Sequence, residues 1–232
     1  MSSHEGAGLG EIAYGRIRHA IVRLELPPGA PVSEQQLVDE FGLTKAAVRA
    51  AFARLRADGL LRCAPRRAHL VTPVTLHDVR EVYELRLAVE PVAAAAAATR
   101  IGAEQLRRLR RAMADPPDLR RPASVDRFLT GNRAVHVGVA AASGNRRLER
   151  LVSQLLDDSE RVILLAMRGG AGHHGRRIQQ EHRALLTALG ERDADAAREV
   201  MRSAIGGFRD ELVDALVNSE AVTRVALAAG AA

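Results

Sequence analysis

Residues Pro31–Gly59 read PVSEQQLVDEFGLTKAAVRAAFARLRADG, and this stretch decides the N-terminal fold. It parses as two short helices joined by a tight turn. Ser33 is placed to cap the first, Glu34–Phe41, its hydroxyl taking a backbone amide that a helix start leaves unpaired. Leu37 and Phe41, four apart, form that helix's apolar stripe. Gly42 stands where a helix commonly stops, in the left-handed conformation that glycine adopts at least cost. Thr44 caps the second helix, Lys45–Asp58, whose Val48, Ala51, Phe52 and Leu55 share one side. Lys45 and Arg49, one turn apart, lie beside that stripe, and the outward face otherwise carries Ala46, Ala50 and Ala53. Two cations among small neighbours let a helix approach a groove closely, as the second helix of a helix-turn-helix must. A hairpin in an unrelated helical bundle would share much of this pattern, so the flanks matter.

After Gly59 the chain reads LLRCAPRRAHLVTPV. Its β-branched and apolar residues predict two strands, Leu60–Cys63 and His69–Thr72, with Pro65, Arg66, Arg67 and Ala68 at the tip between them. A wing of this kind puts paired arginines on phosphate or into the adjacent minor groove. An edge hairpin with charged turn residues is the alternative. In front lies Glu11–Leu26, with Ile12, Ile17, Ala20, Ile21 and Leu24 at helical spacing. It runs into LPPGAPVSE, where prolines stop the helix and Gly29 permits a turn.

Helix, PPG turn, helix-turn-helix and wing in this order resemble the winged-helix domain of the GntR superfamily of bacterial transcription regulators, over residues 11–74. The resemblance implies a double-stranded DNA operator as partner. Four positions depart from the family pattern. Thr44-Lys45 stands where the family usually has Ser-Arg, Ala47 where it has Pro, and Ala68 where it has a wing-tip Gly. Lysine offers guanine a point charge without the bidentate fork of arginine, which bears on base preference at that position.

The whole chain has 232 residues, enough for one or two domains, and a formal net charge of +6, which suits a polyanionic partner. The charge is carried by arginine, since Lys45 is the only lysine. One cysteine, Cys63, excludes an intrachain disulfide and fits a reducing, cytoplasmic compartment. No apolar run reaches the roughly 18 residues of a membrane-spanning helix. Met1–Gly10 reads as a disordered arm without the apolar segment of a signal peptide, and residues 219–232 read as a C-terminal tail.

The domain boundary is expected at Thr72–Asp78, where Thr75-x-x-Asp78 resembles a capping pair for the next helix. From there the pattern is helical: about Leu76–Val89, Pro91–Thr99, Ala103–Ala114, Ser124–Ala142, Asn145–Met167, Arg176–Leu189 and Ala194–Leu216. Pro91 is read as the first turn of its own helix, where a missing amide costs nothing. The expected fold is thus mainly α: a winged helix-turn-helix of three helices and a small two-stranded wing, then an all-helical bundle over residues 75–218. That second half resembles the FCD effector-binding domain of the FadR subfamily of GntR regulators. The stretches that carry the resemblance are DVREVYELRLAVEPVAAAAAA, HVGVAAASGNRRLERL and EHRALLTALGERDADAAREVM. It implies a bundle that binds a small organic acid, in many members through a metal, and that dimerises so that two winged helices meet a palindromic operator.

Members with a metal place an Asp and a His four apart on one helix and add two later histidines. Carried onto this chain, the Asp position is Asn132, its partner is His136, the second histidine is His182, and the third position is Ala204. Two of four donors are therefore replaced. A divalent zinc, nickel or manganese ion held by His136, His182 and the Asn132 amide is one reading of the site. A second has the two histidines donating hydrogen bonds to a ligand in a metal-free pocket, and a third has them merely packed. Arg86 can pair a ligand carboxylate bidentately, or form an i,i+4 salt bridge with Glu90. His173 and His174, in a glycine-rich loop, read as solvated or as part of a lid. The clusters Arg107–Arg111 and Arg120-Arg121 read as solvated faces.

Nothing in the sequence supports an enzyme. GGAG at residues 169–172 lacks the strand before it and the Lys-Ser/Thr after it that a phosphate loop requires. Glu181 is the lone candidate base beside His182, and adjacent residues on a helix point about 100° apart. The reading is a homodimeric, effector-responsive repressor. Lys45 and Arg49 enter the major groove, Thr44 sits on phosphate, and Gln35, Arg66 and Arg67 assist. Arg86, Asn132, His136 and His182 face the effector. A ligand-blind, dimeric architectural DNA binder is the rival.

Overall fold

The computed structural model describes residues 2–63, 69–113, 122–168 and 175–217. It divides into two compact units, one reaching to Thr75 and one beginning at Leu76.

The first unit contains α1 (Ser2–Val22), β1 (Pro31–Val32), α2 (Glu34–Phe41), α3 (Lys45–Ala57), β2 (Leu61–Cys63) and β3 (His69–Val71). The residues read as a disordered arm are helical from Ser2 onward. Once the buried Ile17 and Ile21 anchor α1, each further residue adds a hydrogen bond at little cost, and no proline interrupts. The helix closes earlier than Leu26, because Leu24 turns left-handed at φ 59° and the Glu25 and Leu26 amides both return to the Ala20 carbonyl. Ile12, counted with the apolar stripe, is 55% exposed, and Ala13 takes the buried position in its place.

Both helix starts behave as read. The Ser33 hydroxyl accepts from the Gln36 amide at 3.1 Å, and Thr44 accepts from the Ala47 amide at 3.2 Å. Gly42 ends α2 at φ 61°. The sheet has three strands rather than two, in the order β1-β3-β2 and antiparallel throughout. The Gly29 amide donates to the Val71 carbonyl, the Val71 amide returns to Ala30, and this brings Pro31 opposite Leu70. Pro31 suits that place because β1 is an edge strand, where a missing N–H costs no ladder bond. Ile17, Leu37, Val48, Phe52, Leu55, Leu61 and Val71 pack one core beneath the sheet. The wing tip with Arg66 and Arg67 lies outside the described residues, as do the loop holding His173 and His174 and the C-terminal tail.

The second unit contains α4 (Leu76–Arg100), α5 (Ala103–Ala112), α6 (Pro122–Ala142), α7 (Arg146–Arg168), α8 (Gly175–Glu191) and α9 (Ala194–Val217). The two helices expected on either side of Glu90 are one, with Pro91 inside it. Proline removes a hydrogen bond and crowds the preceding turn. The halves stay in line because both bury against the same partners. Arg86 before Pro91 reaches Ser159 of α7, and Ala93 after it packs with Ala140 of α6 and with Val152 and Leu156 of α7. Ala93, Ala94, Ala97 and Ala98 bury with no side-chain entropy to lose, which lets neighbouring helices come close. Close approach recurs where α5 crosses α6, since a Cβ at Gly131 or Gly138 would collide with Ala112 or Leu109. Asn145 caps α7 through the Arg147 and Leu148 amides, and Asp193 caps α9 through Asp195 and Ala196.

Candidate DNA interface and ligand cavity

On α3 the apolar side is buried at Val48, Ala51, Phe52 and Leu55, and Lys45, Ala46, Arg49, Ala50 and Ala53 are exposed together. The Tyr14 hydroxyl donates to Asp58 at 2.7 Å, and Arg54 stacks on the Tyr14 ring at 3.8 Å while pairing with Glu11. These contacts tie α3 to α1. Burial, and then the Asp58 carboxylate, push the Tyr14 phenol up to about 12, so it remains a donor at any physiological pH. Gln35 is exposed at the start of α2, with its amide on Asp39 at 2.9 Å. Thr44 spends one oxygen lone pair on its cap, and a hydroxyl used this way still has its O–H to donate. Thr44→Ala is expected to cost the first unit about 1 kcal/mol, read by urea denaturation. Unchanged stability would mean that the cap does not hold the start of α3.

Glu34 was not singled out in the sequence, and it meets Arg49 directly: its carboxylate accepts from the Arg49 Nε at 2.9 Å. Nothing in local spacing links residues 34 and 49, so only the folded turn reveals the pair. An arginine held at Nε keeps both terminal amino groups for the two acceptors of a guanine edge. The contact with Glu34 engages Nε and not the two terminal amino groups of Arg49.

In the second unit, Arg86, Asn132, His136 and His182 line one cavity of about 30 Å³, together with Ala204, Phe128, Ile178, Glu181, Ile205 and Phe208. Four helices deliver them. Arg86 and Glu90 share a face of α4, Asn132 and His136 lie four apart on α6, His182 is on α8, and Ala204 is on α9. Of the two options for Arg86, the structure shows the salt bridge. Its Nε donates to Glu90 Oε1 at 2.6 Å, with both side chains 3% exposed or less. Arg86 also reaches Ser159 Oγ at 3.3 Å and lies over the Tyr83 ring.

The second oxygen of Glu90 sits 2.5 Å from His136 Nδ1, a contact the sequence did not announce because it joins α4 to α6. Burial by itself would raise the Glu90 carboxyl, but Arg86 and then His136 hold it down to about 2. His136 Nε2 faces His182 Nε2 at 3.4 Å. Burial, followed by the neighbouring His136 and Arg86, lowers His182 to about 3, so it is neutral at physiological pH. Glu181, expected to point away from His182, lines the same cavity and bonds Arg177 at 3.3 Å. Burial raises its carboxyl.

The second half's fold implies a divalent metal here, and the donors present do not fit one. A resident zinc takes three or four protein ligands. Among the described residues no three His, Cys, Asp or Glu side chains are placed so that together they could hold a metal ion. Asn132 offers a neutral amide and Ala204 a methyl group.

A capped helix bearing two exposed cations, backed by a winged sheet, defines a DNA-binding unit, and the helical unit beside it in sequence encloses a cavity. Comparison with known proteins agrees with both halves. Residues 9–71 match the model of the bacterial regulatory proteins of the gntR family, and residues 81–207 match the FCD domain. The chain belongs to the GntR family of bacterial transcription regulators and carries an FCD domain, and it is a regulator, not an enzyme. It is 25% identical over 187 residues to the HTH-type transcriptional regulator YdhC of Bacillus subtilis, covering 80% of this chain and 83% of that protein. Over 92 residues it is 33% identical to the HTH-type transcriptional repressor RspR of Escherichia coli, which spans 40% of each. Among solved structures, Escherichia coli McbR/YncC superposes with a TM-score of 0.77 at 20% identity, covering 89% of this chain and 97% of that one. A putative GntR regulator from Rhodococcus sp. RHA1 superposes with a TM-score of 0.72 at 20% identity, covering 90% and 98%. No helix among the described residues is long and apolar enough to cross a membrane.

Proposed function

We propose that this regulator is a homodimeric repressor that binds a palindromic operator and is released by a small organic acid in the helical unit. The observation that carries the DNA half is the outward face of α3, where Lys45 and a Glu34-bound Arg49 stand among alanines. Dimerisation draws support from α4. Leu85 and Val92, seven apart on one helix face, are 47% and 56% exposed in the single chain, and a second copy would cover them. For the effector, Arg86 Nη2 is the donor left to meet a ligand oxygen, because its near neighbour is His136 Nδ1 at 3.4 Å. A cavity of about 30 Å³ holds one or two waters, so binding requires α8 or α9 to shift. That shift is the proposed signal.

Selection of duplexes from a random pool by the full-length protein is expected to yield an inverted repeat, and sedimentation is expected to show a dimer. An asymmetric site bound by a monomer would overturn the dimeric reading. A thermal-shift screen of small carboxylates, followed by binding to the selected duplex, tests release. A native-state ligand raises the melting temperature by mass action. Absence of any ligand-dependent change in DNA affinity would favour a ligand-blind architectural protein.

A further inference from the structure

We infer that this cavity works without a resident metal: a direct His136–His182 hydrogen bond, held in one tautomer by Glu90, stands where two imidazoles would otherwise share a cation. The inference rests on the reading of this cavity as the effector site.

The separation of the two Nε2 atoms does not decide the matter. At 3.4 Å it suits a long hydrogen bond, and it is also close to the roughly 3.3 Å edge of a tetrahedral zinc with Zn–N bonds near 2.0–2.1 Å. The atoms behind the two rings decide. A metal-ligating imidazole ordinarily donates its other ring N–H to a carboxylate, a carbonyl or water, which fixes the ring and raises its basicity. His136 has such a partner in Glu90, whose carboxylate is already ionised by Arg86 and so accepts the Nδ1 proton. His182 has a poorer one: its buried Nδ1 makes no well-formed hydrogen bond among the described residues, and what faces the ring from its own helix is the Ile178 backbone, one turn earlier.

If His182 Nε2 ligated a metal, Nδ1 would have to carry its proton as a buried donor without a well-formed hydrogen bond, which is costly. With the proton on Nε2, Nδ1 is a bare lone pair and Nε2–H points at the His136 Nε2 lone pair. The two Nε2 atoms face each other with ring centroids 5.5 Å apart, and rotation of one ring about that axis to 81° leaves an in-plane N–H and an in-plane lone pair able to meet. One tautomer pair thus uses Glu90, His136 and His182 in sequence, and the remaining wall adds only the Asn132 amide and the Ala204 methyl. The Arg86 guanidinium, 3.4 Å from His136, further disfavours a second cation.

The test uses the full-length, tag-free protein with zinc, nickel or manganese chloride as the probe. After dialysis, elemental analysis is expected to find far less than one metal per chain, and the melting temperature is expected to be unmoved by metal or chelator. Nitrogen-15 imidazole spectra are expected to show protonated Nδ1 on His136 and protonated Nε2 on His182. Glu90→Gln should disturb the His136 signal. One metal per native chain, lost in His182→Ala, would overturn the inference, as would a His182 protonated at Nδ1 and bare at Nε2. Neither readout needs DNA or an effector, so such a failure leaves the regulator reading standing.

Discussion

Glu90→Ala is expected to destabilise the helical unit by about 3–5 kcal/mol, the cost of breaking a buried ion pair from one side. Glu90 is 1% exposed and Arg86 is 3% exposed, and the carboxylate bonds both Arg86 and His136. Without it, the guanidinium keeps its charge in a medium that cannot solvate it. The measurement is urea or thermal denaturation, where a melting-temperature loss on the order of 10 °C is expected for a unit of this size. Replacing both partners, Arg86→Leu with Glu90→Leu, is expected to recover much of that loss, because the penalty lies in the unpaired charge. An alanine variant within about 1 kcal/mol of the native protein would sink this account. The same pair sets an acid limb. The Glu90 carboxyl falls from 4.5 to about 2 on folding, so its contribution is complete above 4.5 and is lost as pH drops towards 2. In Glu90→Gln that limb should flatten.

Arg49→Ala is expected to weaken binding to the selected duplex by about 1–3 kcal/mol, roughly 5- to 150-fold, and to flatten preference at one base pair in each half-site. Glu34 holds Nε and leaves the fork free, so the loss should appear as lost base discrimination. The salt dependence separates base from phosphate contact. If Arg49 reads a base, the slope of affinity against salt stays near the native value. If it only touches phosphate, the slope falls by about one and the loss is uniform across sequences. Unchanged specific binding by the variant would remove Arg49 from the interface.

Much of the first unit was legible because its signals are local. Ser33, Gly42 and Thr44 act within three or four residues of themselves, and the φ of Gly42 follows from its lack of a side chain. The exposed set on α3 follows from helical period. Where local reading erred, a distant contact had intervened. Pro91 would break an isolated helix, but α6 and α7 hold both halves of α4. The third strand exists because Gly29 and Ala30 bond to Val71, some forty residues away.

The cavity divides in the same way. Which residues have the chemistry for it, Arg86, Asn132, His136 and His182, was determined by the sequence, and so was the loss of donors at Asn132 and Ala204. Which of them are spent on one another was decided only by the tertiary structure. Glu90 reaches His136 because α4 lies against α6, and His182 Nδ1 lacks a well-formed hydrogen bond because of what surrounds α8. A side chain's type sets what it can donate or accept. Its partner, and therefore its proton, depends on long-range packing that no window of sequence contains.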